Sequence, residues 1–142
     1  MTNPPGFQPF RGRTAPSPGD RIRVYRNLNR PGLYSLQALT GPDKGKVLGY
    51  APATALANVE FKVSEKGRQT VLAKQIRHVH AYAQGEFVTT ASKLPEAVTA
   101  TDSNTITYRP FASGHFFRVS TPQKAVWHLP RAWASGTGLV EY

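Results

Sequence analysis

"NVEFKVSEKGRQTVLAKQIRHVHAYAQGEFVTT", residues Asn58 to Thr90, is the stretch whose reading decides the fold. At its start Val59, Phe61 and Val63 fall on one face and Glu60 and Lys62 on the other, the period of a half-buried strand. Ser64 can cap a following helix, and Glu65 then stands in the first turn, where a negative charge suits the unpaired N–H groups. The helix places Val71, Leu72 and Ile76 at helical spacing against a core. Gly67 weakens it by about 1 kcal/mol relative to alanine. "HVHAYA" and "GEFVTT" read as two strands joined by a tight hairpin at Gln84–Gly85. His78, His80 and Tyr82 would then share one face, with Tyr82 opposite Phe87 and His80 opposite Thr89.

Outward from this stretch the chain stays rich in strands. In "RIRVY" Ile22 and Val24 alternate with arginines, and "LYSLQAL" and "KVLGYA" flank a turn-forming "TGPDKGK". "TITYR", "GHFFRVS", "AVWHL" and "GLVEY" supply further strands. Short connections favour neighbours that run antiparallel. The expected class is α+β: an antiparallel β-sheet or small barrel with one packed α-helix and an extended basic N-terminal arm. That arm, residues 1–20, holds five prolines and three glycines but only Phe7 and Phe10 as large apolar groups, too few for a core of its own. Residues 21–142 are expected to form a single β-rich domain.

The chain has 142 residues, enough for one domain without staples, and no cysteine, which excludes disulfides and thiolate chemistry. No run reaches the roughly 18 apolar residues of a membrane-spanning helix. A soluble, unexported, cytoplasmic protein is expected, with no membrane partner and homo-oligomerisation left open. The net charge of +10, from 18 Lys plus Arg against 8 Asp plus Glu, favours an anionic partner. Lys62, Lys66, Arg68, Lys74 and Arg77 lie close together beside His78 and His80, and Arg11 and Arg13 add charge on the arm. These residues, with His80, are the candidate contacts to nucleic acid or a phosphate-bearing nucleotide. Arg68 stands four residues before Leu72, so its guanidinium fork can lean over the sheet; an ion pair with Glu60 or Glu86 is the competing reading. Rings beside arginines, at Tyr108, Phe116, Phe117, Trp127 and Trp133, can stack bases, although most should fill the core.

Catalysis has thinner support. There is no nucleophile elbow and no phosphate-cradling glycine loop ahead of a helix. A metal-independent nuclease needs only a proton carrier, a counterpart and a clamp, for which His80, Glu65 (or Glu86) and Arg68 are the candidates. Two histidines on alternate positions lack a third ligand, so neither metal nor cofactor is expected.

The order of "VYRNL", "EKGRQTVL", "HVHAYA" and "ITYRP" resembles a family of small proteins from bacteriophage and plasmid genomes, over about Ile22 to Ser120. By that resemblance Asn27, Glu65, Gly67, Arg68, Gln69, His80 and Tyr108 are the positions to carry over. It implies a mobile-element origin, with host takeover, counter-defence, a virion part or a protein-binding inhibitor as the roles such an origin favours.

Overall fold

The computed structural model describes residues 3–136 and 138–142; the first two residues of the expected arm lie outside them. In chain order the elements are β1 (Gln8–Pro9), β2 (Arg21–Arg26), β3 (Tyr34–Ala38), β4 (Val47–Ala51), β5 (Ala53–Val63), α1 (Glu65–Lys74), β6 (Ala81–Ala91), β7 (Thr105–Thr107), β8 (Phe117–Arg118), β9 (Thr121–Ala125), β10 (His128–Ser135) and β11 (Gly138–Glu141). All strands join one antiparallel sheet in the order β1-β4-β3-β2-β6-β5-β10-β11-β7-β8-β9. The expected α+β class, an antiparallel sheet with one helix, is what forms.

The sheet curls on itself without closing. The Tyr34 hydroxyl on β3 donates to the Ser135 carbonyl at the end of β10, four places away in the strand order. Arg26 Nη2 donates to the neighbouring Gly136 carbonyl at 3.4 Å. The inner face is where alternation puts the apolar side chains: Ile22 and Val24 from β2, Leu36 from β3, Leu56, Val59 and Phe61 from β5, and Leu129 from β10 are all buried.

Two register shifts in the β5–β6 pair bend it, one between Ala55 and Leu56 and one between Ala57 and Glu60. At the second, Asn58 takes a left-handed φ of 48° and its amide donates to Glu86 at 3.0 Å. An extra residue in one strand kinks it and increases its twist, which is how so wide a sheet can wrap around one core. The bulge also overturns the hairpin expected at Gln84–Gly85. Residues 81–91 run as one continuous strand, paired with β5 on one side and β2 on the other. Gly85 is there because the bulge approaches it: a Cβ would lie 2.7 Å from the Ala57 carbonyl oxygen and 3.2 Å from that of Asn58. A glycine inside a strand thus marks close backbone approach, not a turn. With no hairpin, neither the Tyr82–Phe87 nor the His80–Thr89 pairing forms; Tyr82 faces Lys62, Phe87 faces Leu56 and Thr89 faces Ala55.

The helix starts as expected. The Ser64 hydroxyl accepts the Gly67 N–H at 3.2 Å, and Glu65 lies in the first turn. It is shorter than its apolar spacing suggested: it ends at Gln75, whose left-handed φ of 51° lets its N–H bond the Val71 carbonyl. Val71 is buried, Leu72 only partly, and Ile76 lies beyond the helix and is 49% exposed. His78 likewise precedes the strand, in an extended linker over residues 76–80.

The expected arm turns at residues 5–6, 11–12 and 18–19, and the domain itself holds it. β1 pairs with β4, and Phe7 is buried in the core, so the segment contributes a core residue that its composition did not suggest. Gly49 makes room for it: a Cβ there would sit 2.5 Å from the Phe7 ring. Arg13 donates to the Val47 carbonyl at 2.9 Å, and the Phe10 ring lies beneath both Arg11 and Arg13.

Candidate functional site

Two arrangements gather the polar residues singled out from the sequence. The first joins α1 to the linker and to the loop after β7. His80 is 8% exposed, and both of its ring nitrogens are engaged. Nδ1 lies 2.7 Å from the His78 carbonyl, which can only accept, so Nδ1 carries the hydrogen. Nε2 then accepts the Tyr108 hydroxyl at 2.8 Å. The Tyr108 ring stacks on Phe116, which stacks on Phe61, so the pair is anchored in the core. Burial pushes the Tyr108 hydroxyl above its ordinary pKa; nearby Arg68 opposes this and Glu65 adds to it.

Arg68 does lean inward, and two of its three donor nitrogens are engaged there. Nε donates to the Pro110 carbonyl at 3.1 Å, and Nη1 meets Glu65 Oε1 at 3.3 Å. Gln69 donates to the same carboxylate oxygen at 2.7 Å. The structural ion pair weighed against phosphate binding is therefore present, with Glu65 as partner where Glu60 or Glu86 was expected. Gly67 is explained by the same contact, because a Cβ would lie 2.6 Å from the His80 Cβ. Glu65, Gly67, Arg68, Gln69, His80 and Tyr108, scattered over forty-four positions, thus form one cluster that fastens helix, linker and loop together. Asn27 stands apart: its side-chain oxygen accepts the Asn29 and Arg30 N–H groups and shapes the turn after β2.

The second arrangement is a groove of about 610 Å³ on the outer face of the sheet. Register builds its floor. Tyr25 pairs with Ser35 and Ser35 with Tyr50, while Arg23 pairs with Gln37 on one side and Gln84 on the other. Since Ile22 and Val24 face inward, Arg23 and Tyr25 must face outward. The Arg23 guanidinium lies 4.0 Å from the Tyr82 ring centroid and makes no hydrogen bond among the described residues; its Nε is buried without a partner. Arg30 lies over Tyr50 at 4.6 Å. Residues 77–80 form one wall, and the turn carrying Asn27 forms the other. Burial raises the Tyr25 pKa, partly offset by a hydrogen bond with Ser35 and by the Arg23 charge. The lining contains two arginines, two histidines and three tyrosines, but no aspartate or glutamate.

The remaining candidates distribute unevenly. Arg77 lines the groove, and His80 touches it from behind the wall. Lys66 and Lys74 are exposed on α1, and Lys62, paired with Glu60 at 3.1 Å, is exposed beside Tyr82 in the sheet register. Arg11 and Arg13 lie with the arm. Among the rings proposed for stacking, Phe116, Phe117 and Trp133 are buried, whereas Trp127 is 51% exposed. Sequence reasoning missed Arg23, Tyr25, Tyr50 and the floor they make. The available signal was the outward phase of Arg23 and Tyr25 in β2.

The arrangement defines a small curled-sheet protein with a basic, tyrosine-floored groove. The chain belongs to the family of the Mycobacterium phage L5 gene 82 protein, whose family model matches residues 15–128. The gene 82 protein of Mycobacterium phage L5 is 31% identical to it over 124 residues, which cover 84% of this chain and 93% of that protein. No solved structure matches it. The resemblance to a phage family read from the motifs is thereby borne out, and the matched residues include the whole groove lining. No described helix is long and apolar enough to cross a membrane.

Proposed function

We propose that this phage protein binds single-stranded nucleic acid in the outer groove. The observation that carries the reading is a concavity with arginines free of carboxylate partners, a floor of tyrosines and no acidic lining residue. Aromatic rings accept bases of any sequence, and guanidinium groups take the intervening phosphates. Arg23, Arg30 and Arg77 would supply the phosphate contacts and Tyr82 and Tyr25 the stacking surface. Lys62, Lys66 and Lys74 would add charge at the rim, and the net charge of +10 draws the strand in. Arg68 and His80, engaged within the protein, would act by holding the wall in place.

Fluorescence anisotropy with a labelled twelve-nucleotide strand, as DNA and as RNA, tests this. Affinity should fall with log salt at a slope of about −1.4 to −2.8, as expected for roughly two to four phosphates. Tyr82→Ala should cost about 1–3 kcal/mol, the worth of one stacked base. Absence of binding at low salt, or full affinity in an Arg23→Gln, Arg77→Gln double variant, would overturn the assignment. The biological setting we propose is host takeover or counter-defence. A virion component is the competing setting, and co-purification with washed particles would favour it.

A further inference from the structure

The inner face of the curled sheet borders a second cavity, of about 370 Å³, which shares Tyr25, Leu28, Tyr82 and residues 77–80 with the outer groove. It exists because the inward positions at that end of the curl are small. Ala83 and Ala134 face it, with Gly138 beside them, whereas Leu36, Leu56 and Phe61 fill the rest of the core. Its walls are Val24, Val71, Ile106, Phe116 and Leu139.

Three observations say what such a cavity would take. Among the described residues five large apolar side chains are markedly exposed, and three of them, Ile76, Val79 and Phe111, line this cavity. Exposed apolar groups gathered at a concavity mark a binding site more than a solvated surface. The charged side chains in the lining are Arg26 and Arg77, with no carboxylate among the lining residues. Arg26 is exposed, and among the described residues it is held by the 3.4 Å contact to the Gly136 carbonyl and by the Tyr34 ring. An apolar interior of this size with a few polar groups at one side is the usual form of a small-molecule site.

We infer that the cavity binds an amphipathic anion: an apolar body lying against the inner face, with one carboxylate or similar acidic head held by Arg26 at the rim. The site lies on the opposite side of residues 77–80 from the outer groove and shares that segment with it. A concavity of about 370 Å³ suits a free small molecule better than a partner protein's surface.

Titration calorimetry with decanoate, and with decanol as its neutral counterpart, reads this out. Decanoate should bind saturably at one site per chain, and Arg26→Gln, an exposed change that leaves the core intact, should weaken it about tenfold, the scale of one charge-assisted hydrogen bond. Decanol should bind more weakly, and indifferently to that substitution. Ala134→Leu, which fills the cavity, should abolish both, with circular dichroism reporting whether the variant folds. Equal binding of both probes, with no effect of Arg26→Gln, would overturn the anionic head; no saturable binding of either to the wild-type protein would overturn the site. Oligonucleotide binding in the same preparation reports the outer groove separately, so failure of one site is distinguishable from failure of the other.

Discussion

Replacing Gly85 by alanine should destabilise the protein by an amount that the bulge geometry sets. The added Cβ would lie 2.7 Å from the Ala57 carbonyl oxygen, 3.2 Å from the Asn58 carbonyl oxygen and 3.3 Å from the Val59 Cα. All three are backbone atoms of a segment already fixed by the left-handed φ of Asn58 and its bond to Glu86, so no side chain can swing aside. Forcing a methyl into a packed site costs about 1–3 kcal/mol. Against this, alanine restricts the unfolded chain and gains about 0.4–1 kcal/mol. A net loss of about 1–2 kcal/mol follows, or ~3–7 °C in Tm for a chain of this length. Urea and thermal melts should show that loss, together with faster amide exchange at Val59 and Glu60. Gly136→Ala is the control: nothing lies within 4 Å of its Cβ, so stability should hold or rise slightly. If both variants melted alike, the close approach of bulge and strand would be refuted.

Tyr108→Phe keeps the ring on Phe116 but strips His80 Nε2 of its donor in a buried position, and should cost about 1–3 kcal/mol in chemical denaturation. Its affinity for an oligonucleotide should change far less than that of Tyr82→Ala, since the lost bond fastens the wall without touching the strand. High pH should unfold the protein by a specific route. Tyr25, Tyr34, Tyr108 and Tyr142 all have pKa values raised above 10.0, chiefly by burial. The folded state therefore holds those protons longer than the unfolded state. The associated stability is full below pH 10 and is lost as pH rises through the raised values. Absorbance titration should show delayed tyrosine ionisation that ends in a cooperative transition; ordinary ionisation near pH 10 without unfolding would refute it.

Much of the fold was legible because it is local. The alternation in residues 21–25 and 59–63 and the cap at Ser64 each follow from a few neighbouring side chains, and each formed where it was read. Gly85 was misread because the atoms that demand a glycine belong to another strand, twenty-six to twenty-eight residues earlier in the chain. Phe7 was missed for the same reason: its pocket is opened by Gly49. For the site, the motif residues from Glu65 to Tyr108 do assemble, although their spacing could not show that Arg68 would bond Glu65 and Pro110, or His80 the His78 carbonyl and Tyr108. The groove was hidden because its rows cross β4, β3, β2 and β6, an order that the chain does not follow.

Residues 77–80 are the wall of the outer groove and also part of the lining of the inner cavity. The two spaces are the opposite sides of a single extended segment, tied at one end by the Ser64 N–H to the His80 carbonyl at 2.7 Å. Any occupant that moves this partition changes the shape offered on its far side. If both spaces are filled as inferred, the two ligands are thermodynamically linked: whatever factor the inner one imposes on the affinity of the outer, the outer must impose equally on the inner.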